Sequence, residues 1–333
     1  MCTCQDNSST IGLLHYYDCS FYHDPALETF ILDLDGHGTI CASIAAASRV
    51  NLKCLEGIEV VTNTIICGAN PLASIASYKV FGIKNNLEGE LFMEVDSEEL
   101  LDAIQRSVND NVGVISISLS AKLTKETSTS YLEDRVNHGT FGAFRENIIS
   151  CVSAGNDYLS SSLATWVITV GSCNYGGRFY TTIQLGNGRR LKNIVFLNQN
   201  NSGFITDYIN AIWDPIHLYG DYWIMSGTSA ATPVVAGMVS YIRSIHPKWE
   251  PGRIKSAIVT TGLVYDLTWD DCRRYLLGRE RDKSKLRELR ENLEGLVISG
   301  ENLNLPSFSL VLGEKKTFHR VLTNLGSREE PTI

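Results

Sequence analysis

Between residues 75 and 171 the chain switches repeatedly between two hydrophobic periods. Ile75-Ala-Ser-Tyr-Lys-Val80 alternates like a strand with one covered face. After Ser97, the residues Leu100, Leu101, Ile104 and Val108 fall on one side at three- and four-residue spacing, which predicts an amphipathic helix capped by the serine hydroxyl. Residues 112–119 form a β-branched apolar run between polar neighbours, the signature of a buried strand. A helix is predicted over 134–147, with Gly139 and Gly142 as weak points, and buried strands over 148–154 and 166–171. Strands alternating with helices need crossover connections, so the pattern predicts an α/β fold: a mainly parallel sheet with helices on both faces. Reactive groups in such sheets gather at the carboxyl ends of the strands, which is where Asn156 falls after Ser153-Ala154-Gly155.

Outside that region the pattern is less regular. Residues 1–34 show no clear period before Thr29-Phe-Ile-Leu and read as mostly loop, and residues 186–225 are rich in Asn and Gly. Ser226-Gly227-Thr228-Ser229-Ala230-Ala231-Thr232-Pro233 reads as a tight turn opening a buried helix that continues through Val234-Val235-Ala236-Gly237-Met238-Val239. Gly227 permits a backbone other residues resist, Pro233 is expected in the first turn, and Ser229 then lies where free N–H groups and the positive dipole end point outward. Glu250-Pro251 opens a further helix with Ile254, Ala257 and Ile258 inward. Residues 270–294 carry Arg, Lys and Glu among Leu276, Leu277, Leu286, Leu289 and Leu293; mixed signs favour a solvated amphipathic linker over a nucleic-acid or partner helix. Residues 303–325 alternate like strands.

Composition narrows the function classes. With 333 residues, 44% hydrophobic and 20% charged, the chain can bury one large core and a small second domain. A net charge of -8 argues against tracking the phosphates of a nucleic acid, and no stretch has the apolar length of a membrane span. Nine cysteines, an odd number, leave at least one thiol unpaired within the chain; Cys41 and Cys151 fall in apolar segments, where a reduced cysteine acts as a small hydrophobe. Cys2-Thr3-Cys4 with Cys19 and His15 fits no common zinc spacing, so neither a metal nor another cofactor is expected. The start of the chain has no charged region followed by an apolar one, and the sequons at Asn7 and Asn200 matter only on a secretory route.

Three stretches carry candidate chemistry. Asp35-Gly36-His37-Gly38-Thr39 precedes a small-residue helix over 40–48, Ser153-Ala154-Gly155-Asn156 ends a strand, and Gly227-Thr228-Ser229 opens a helix. A base, an amide donor and a hydroxyl nucleophile form an acyl-transfer set, although a serine in this position also serves as a plain helix cap. The order His-Gly-Thr, Ser-Ala-Gly-Asn, Gly-Thr-Ser-x-x-x-Pro resembles the subtilisin-like serine proteases. The plant, cucumisin-like branch is resembled in Val114-Ile-Ser-Ile-Ser-Leu119, Leu185-Gly-Asn-Gly188, Ser244-Ile-His-Pro247, Ile254-Lys-Ser-Ala257, Gly262-Leu-Val-Tyr-Asp266 and Leu305-Pro-Ser-Phe308.

The resemblance implies a serine endopeptidase in which Ser229 attacks the scissile carbonyl, His37 takes and returns a proton, and the Asn156 side chain with the Ser229 N–H holds the oxyanion. It implies a polypeptide substrate laid along Ser118-Leu119-Ser120 and Ser153-Ala154-Gly155, with Ser120 where the family usually has glycine, and an extracellular place for the protein. Ala230 replaces the usual Met and Val234 the usual His. The family orients its histidine with an aspartate at the end of an earlier buried strand, and no Asp-Thr/Ser-Gly phrase precedes His37; Asp33 and Asp35 are the nearest carboxylates, with helix-start or surface roles expected. The expected organisation is a subtilisin-like domain over 1–270 lacking the aspartate strand and the protease-associated insertion, a charged helical linker over 271–300, and a truncated fibronectin-III-like segment over 301–333. The resemblance also implies a strand with an Ala-Pro-Gly turn before the serine and an N-terminal propeptide, and the expectation is that this sequence shows neither. Weak or absent activity is therefore expected. The alternatives are a non-catalytic peptide-binding protein and an α/β-hydrolase esterase using Ser229, Asp266 or Asp270, and His319, although that fold wants glycine where Ala231 stands.

Overall fold

The structure is a computed structural model that describes residues 10–15, 33, 36–55, 58–85, 91–95, 97–119, 132, 134–156, 164–173, 180–184, 187–194, 208–211, 222–225, 227–260, 264–280, 283–307 and 313–323. In chain order the elements are β1 (Thr10–His15), α1 (His37–Ala46), β2 (Val50–Leu55), β3 (Ile58–Ile66), β4 (Ser74–Lys79), β5 (Phe81–Asn85), β6 (Leu91–Val95), α2 (Ser97–Asn109), β7 (Val114–Ile117), α3 (Arg135–Arg145), β8 (Ile149–Ser153), β9 (Ile168–Val170), β10 (Tyr180–Gln184), β11 (Arg190–Ile194), β12 (Tyr208–Ala211), β13 (Tyr222–Met225), α4 (Thr228–Ile245), α5 (Pro251–Thr260), α6 (Trp269–Leu277) and α7 (Lys283–Arg290).

Five strands form one wholly parallel sheet in the order β4-β1-β7-β8-β9. Side chains alternate between its faces. Val114, Ile149, Cys151, Ile168 and Val170 meet Ala45 of α1, Ala236 and Val239 of α4 and Ile254 of α5. Ile115, Ile117 and Val152 meet Leu100 and Ile104 of α2, Phe141 and Phe144 of α3, and Cys272, Leu276 and Leu289 of α6 and α7. Covering both faces is why these strands read as continuous apolar runs, each large side chain stabilising the fold by about 1.5–3 kcal/mol on burial. The remaining strands pair as four antiparallel hairpins, β2-β3, β5-β6, β10-β11 and β12-β13.

The expectation of loop over residues 1–34 fails at β1. Thr10–His15 lies inside the sheet, pairing Ile11 with both Ile75 and Val114, and Ile11 is fully buried. A six-residue strand flanked on both sides has no polar alternation to announce it, and Gly12 breaks its apolar run. The expected lack of a strand before His37 is therefore corrected: the strand exists, and it ends at His15 rather than at an aspartate.

Residues 271–300 are not a solvated linker. Helix α6 buries Cys272, Arg273, Tyr275 and Leu276, and Leu289 of α7 and Leu303 join the same core as β7 and α3. A capping box between Thr268 and Asp271 starts α6, and Arg273 stacks its guanidinium 4.5 Å above the Trp269 ring. The expected strands over 303–325 are also absent among the described residues, apart from one antiparallel bridge between Val264 and Thr323. With no second layer to cover it, Val321 stays 71% exposed. The segment is held instead by Arg320, which donates to the carbonyls of Glu301, Leu305 and Ser307, and by Asn304, which donates to those of Asp266 and Val321.

Candidate active site

Helix α1 starts at His37, three residues earlier than the spacing predicted, because Gly36 takes φ +84° and the Asp33 carboxylate covers the open N–H groups. Asp33 accepts from Gly36 N at 2.9 Å through Oδ1, and from Thr39 N and Thr39 Oγ1 at 2.6 and 2.8 Å through Oδ2. Both oxygens serve the helix start, the role the sequence implied for it. Asp35 lies outside the described residues. At the other end, the N–H groups of Gly68, Ala69 and Asn70 satisfy the last carbonyls of α1, and Asn70 Nδ2 donates to Ser240 Oγ of α4 at 3.0 Å. Gly237 lets the two helices close, since a Cβ there would stand 2.8 Å from the Ala45 carbonyl oxygen of α1. His37 and Ser229 are thus carried on two helices locked together.

Helix α4 opens at Gly227, whose φ of +122° is open to glycine alone and whose missing Cβ leaves room for the Asn156 amide, 3.2 Å from where that carbon would be. Asn156 Oδ1 accepts from Thr228 N at 2.9 Å and from Thr228 Oγ1 at 3.0 Å. An N–H can only donate, so this fixes Oδ1 on the helix and leaves Nδ2 as a donor at the mouth of the site, one residue from Ser229. Pro233 does not sit in the first turn as expected; it is the sixth residue of α4. Having no N–H, it leaves the Ser229 carbonyl without its helical donor. Two side chains fill the gap: Ser118 Oγ at 3.0 Å and Cys41 Sγ at 3.5 Å. Ser229 Oγ in turn donates to the Ser118 carbonyl at 3.1 Å, so strand β7 and helix α4 hold each other by a reciprocal serine pair.

Cys41 joins the histidine to this cluster. Its sulfur lies 3.9 Å from His37 Nδ1, and burial, foremost, pushes its thiol up to about 12. Sequence reasoning treated Cys41 as filler, although its place one turn after His37 on the same helix face carried the signal. The structure therefore brings His37, Ser229 and Asn156 to one end of the sheet, with Cys41 and Ser118 between them.

Of the expected substrate strand, Ser118 and Leu119 are buried, and their carbonyls already accept from Ser229 Oγ and from Ser153 Oγ at 3.0 Å. Ser153 is buried as well; Ala154 and Gly155 are half-buried, with Gly155 at φ +92°. Ser120 lies outside the described residues. The small Ala230 is buried in the first turn of α4 beside Ser229, and Val234 is half-buried. Asp266 binds Arg253 and Thr323 and Asp270 binds Arg273, so both carboxylates of the esterase alternative are engaged elsewhere, and His319 is exposed. Among the described residues no group of three or more His, Cys, Asp or Glu side chains stands together, and no helix is long and apolar enough to cross a membrane.

A doubly covered parallel sheet with these three segments gathered at one end is a subtilisin-like α/β fold. The chain belongs to the subtilase family, peptidase S8, whose profile matches residues 14–286. It is 25% identical to subtilisin-like protease SBT4.10 of Arabidopsis thaliana over 434 aligned positions, which take in 89% of this chain and 60% of that protein. Over 161 positions, 47% of this chain and 19% of the relative, it is 36% identical to subtilisin-like protease SBT5.5 of the same plant. The chain thus spans about three fifths of the length of the full-span relatives, such as the 60% for SBT4.10. Among solved structures, the prenylagaramide maturation protease PagA superposes with a TM-score of 0.48 at 18% identity, over 87% of this chain and 95% of that one.

Proposed function

We propose that this chain is a serine peptidase of the subtilisin type, acting on polypeptides by an acyl-enzyme route, with turnover held far below that of its relatives. The observation that carries the reading is the junction at Cys41, where His37 of α1 and the Ser229 turn of α4 meet, with the Asn156 amide anchored one residue away. Ser229 is the nucleophile, His37 the base, and Asn156 Nδ2 with the Ser229 N–H the oxyanion donors. By its relatives the protein is extracellular.

Low turnover is expected because no Asp-Thr/Ser-Gly phrase precedes His37 in the sequence. A serine–histidine pair needs a carboxylate on the second imidazole nitrogen to fix the tautomer and support the imidazolium; losing it costs on the order of 10⁴ in turnover. Strand β1 is the one strand of the main sheet that precedes His37 among the described residues, and it ends at His15 with no carboxylate along its length. Asp33 is spent on the start of α1.

The test is labelling by a serine-directed fluorophosphonate, with peptide cleavage measured alongside, on the chain, on Ser229→Ala and on His15→Asp. Faint labelling of the chain, none for Ser229→Ala, and a rise of roughly a thousandfold or more for His15→Asp are expected. Strong labelling of the unaltered chain that Ser229→Ala abolishes would overturn the low-turnover reading. No labelling of a well-folded His15→Asp would overturn the peptidase reading.

A further inference from the structure

We propose that Ser118 is a positioning residue, whose hydroxyl ties the nucleophile's own carbonyl to the middle of the sheet and so sets where the Ser229 hydroxyl stands. The inference rests on the peptidase reading, which supplies the reaction that the placement serves. Its physical origin is Pro233. A helical carbonyl accepts from the N–H four residues on; for Ser229 that residue is the proline, which has no N–H and whose ring crowds the same carbonyl. The orphaned oxygen is met from outside the helix, by Ser118 Oγ at 3.0 Å and by the weaker sulfur donor Cys41 at 3.5 Å. Ser118 is 2% exposed and directly follows β7, which pairs with β1 on one side and β8 on the other. The shorter bond therefore comes from a strand held along both edges, the kind of support that fixes a reacting group.

The bond acts on the nucleophile because the carbonyl and the side chain of Ser229 leave one Cα. Fixing the direction of the carbonyl fixes the backbone there, and with it the line along which Cβ and Oγ project. A return contact completes the tie: Ser229 Oγ donates to the Ser118 carbonyl at 3.1 Å, so one serine hydroxyl crosses in each direction between the same two residues. A hydroxyl has a single proton, and here the strand receives it. Attack then needs only a turn of Oγ about χ1, with the backbone beneath it already in place. Without the Ser118 hydroxyl, the carbonyl keeps Cys41 alone, and the first turn of α4 is free to drift against the sheet. A displacement of about 1 Å at a nucleophile is enough to cost roughly a hundredfold in rate.

The experiment separates placement from folding. The full chain, Ser118→Ala, Ser118→Thr, Pro233→Ala and the Ser118→Ala/Pro233→Ala double variant are labelled to completion with a fluorophosphonate over a range of probe concentrations. Carbon-13 NMR of serine-labelled protein reads the Ser229 Cβ, assigned through Ser229→Ala. Folded Ser118→Ala is expected to reach the same final stoichiometry at an unchanged half-saturation, with the rate constant at saturation about tenfold lower, the scale of one neutral hydrogen bond. Its Ser229 Cβ signal moves, and Ser118→Thr, which keeps the hydroxyl, returns both signal and rate. Pro233→Ala gives the carbonyl its helical donor back, so in that background loss of the Ser118 hydroxyl costs less than about threefold. An unchanged Ser229 Cβ signal in folded Ser118→Ala overturns the proposal, as does a lower stoichiometry at an unchanged rate constant, which is what loss of folded protein alone produces. A moved signal with no labelling of any form upholds the role of Ser118 and sinks the peptidase reading. Should Ser118→Ala fail to fold, the double variant decides, and a loss of about tenfold or more relative to Pro233→Ala overturns the proposal.

Discussion

A proline at position 233 and a glycine at position 227 shape the site by what they lack. One withholds an N–H and so draws Ser118 and Cys41 onto the Ser229 carbonyl; the other withholds a Cβ and so admits Asn156. Both residues were visible in the sequence, but the partners they recruit come from more than 70 positions away, as with Thr228 and Asn156 at a separation of 72, and no local pattern encodes that pairing. Another single residue sets a pH dependence. Lys255 donates to the Thr165 carbonyl at 2.7 Å, and enclosure of its ammonium lowers it to about 8, with Cys272 opposing the shift. Below pH 8 both folded and unfolded chains hold the proton and the full cost of enclosing the charge stands. Between pH 8 and the unfolded value of 10.5 the unfolded chain binds more protons, so stability rises with pH. The unfolding free energy of the chain minus that of Lys255→Met, taken from urea titrations, is expected to rise from pH 8 to 10 by at most about 1.4 kcal/mol per unit. The subtraction removes the titration of the buried thiols, apart from the coupling to Cys272.

At the level of elements, β4, α2, β7, α3, β8 and β9 lie within a few residues of where their periods predict, because those segments are strongly patterned, whereas the β5-β6 hairpin between β4 and α2 was not foreseen. β7 occupies 114–117 within the apolar run 112–119, and α3 begins just after Asp134, whose carboxylate accepts from Asn137 N at 2.7 Å. Also hidden is β1, too short and flanked by strands on both sides, and with it the residue that ends it, His15. α6 was hidden for the opposite reason: its buried Arg273 reads as solvated until the Trp269 ring and the Glu291 carbonyl are seen to receive it. Gly139, expected to weaken α3, proves to be where α3 closes on α2, since a Cβ there would lie 2.9 Å from Ile104 Cγ2 and Cδ1. Gly139→Ala gains helix propensity of about 1 kcal/mol but wedges the two helices apart, and overpacking of this kind costs about 1–3 kcal/mol. A net loss of stability is expected by urea unfolding, and a net gain would show that Ile104 yields without strain.

Among the described residues, the two cores meet across the five-stranded sheet, and helices α6 and α7 belong to one of those cores rather than to a tether. Among the cysteines whose side chains the structure describes, Cys41, Cys151 and Cys272 are buried in α1, β8 and α6, whereas Cys67 and Cys173 are exposed, and these five are unpaired. That distribution gives the folded protein an internal clock. A maleimide added in the native state meets Cys67 and Cys173 at once, but reaches the other three only when α1, the sheet centre or α6 opens. Mass spectrometry at timed intervals is expected to show Cys151 reacting last, at the rate of global opening, since its strand lies between two neighbours in the sheet. If Cys272 keeps pace with Cys151, α6 opens only with the sheet; if it runs ahead, α6 peels away first, and the interval between the two measures how firmly the last third of the chain is fastened to the rest.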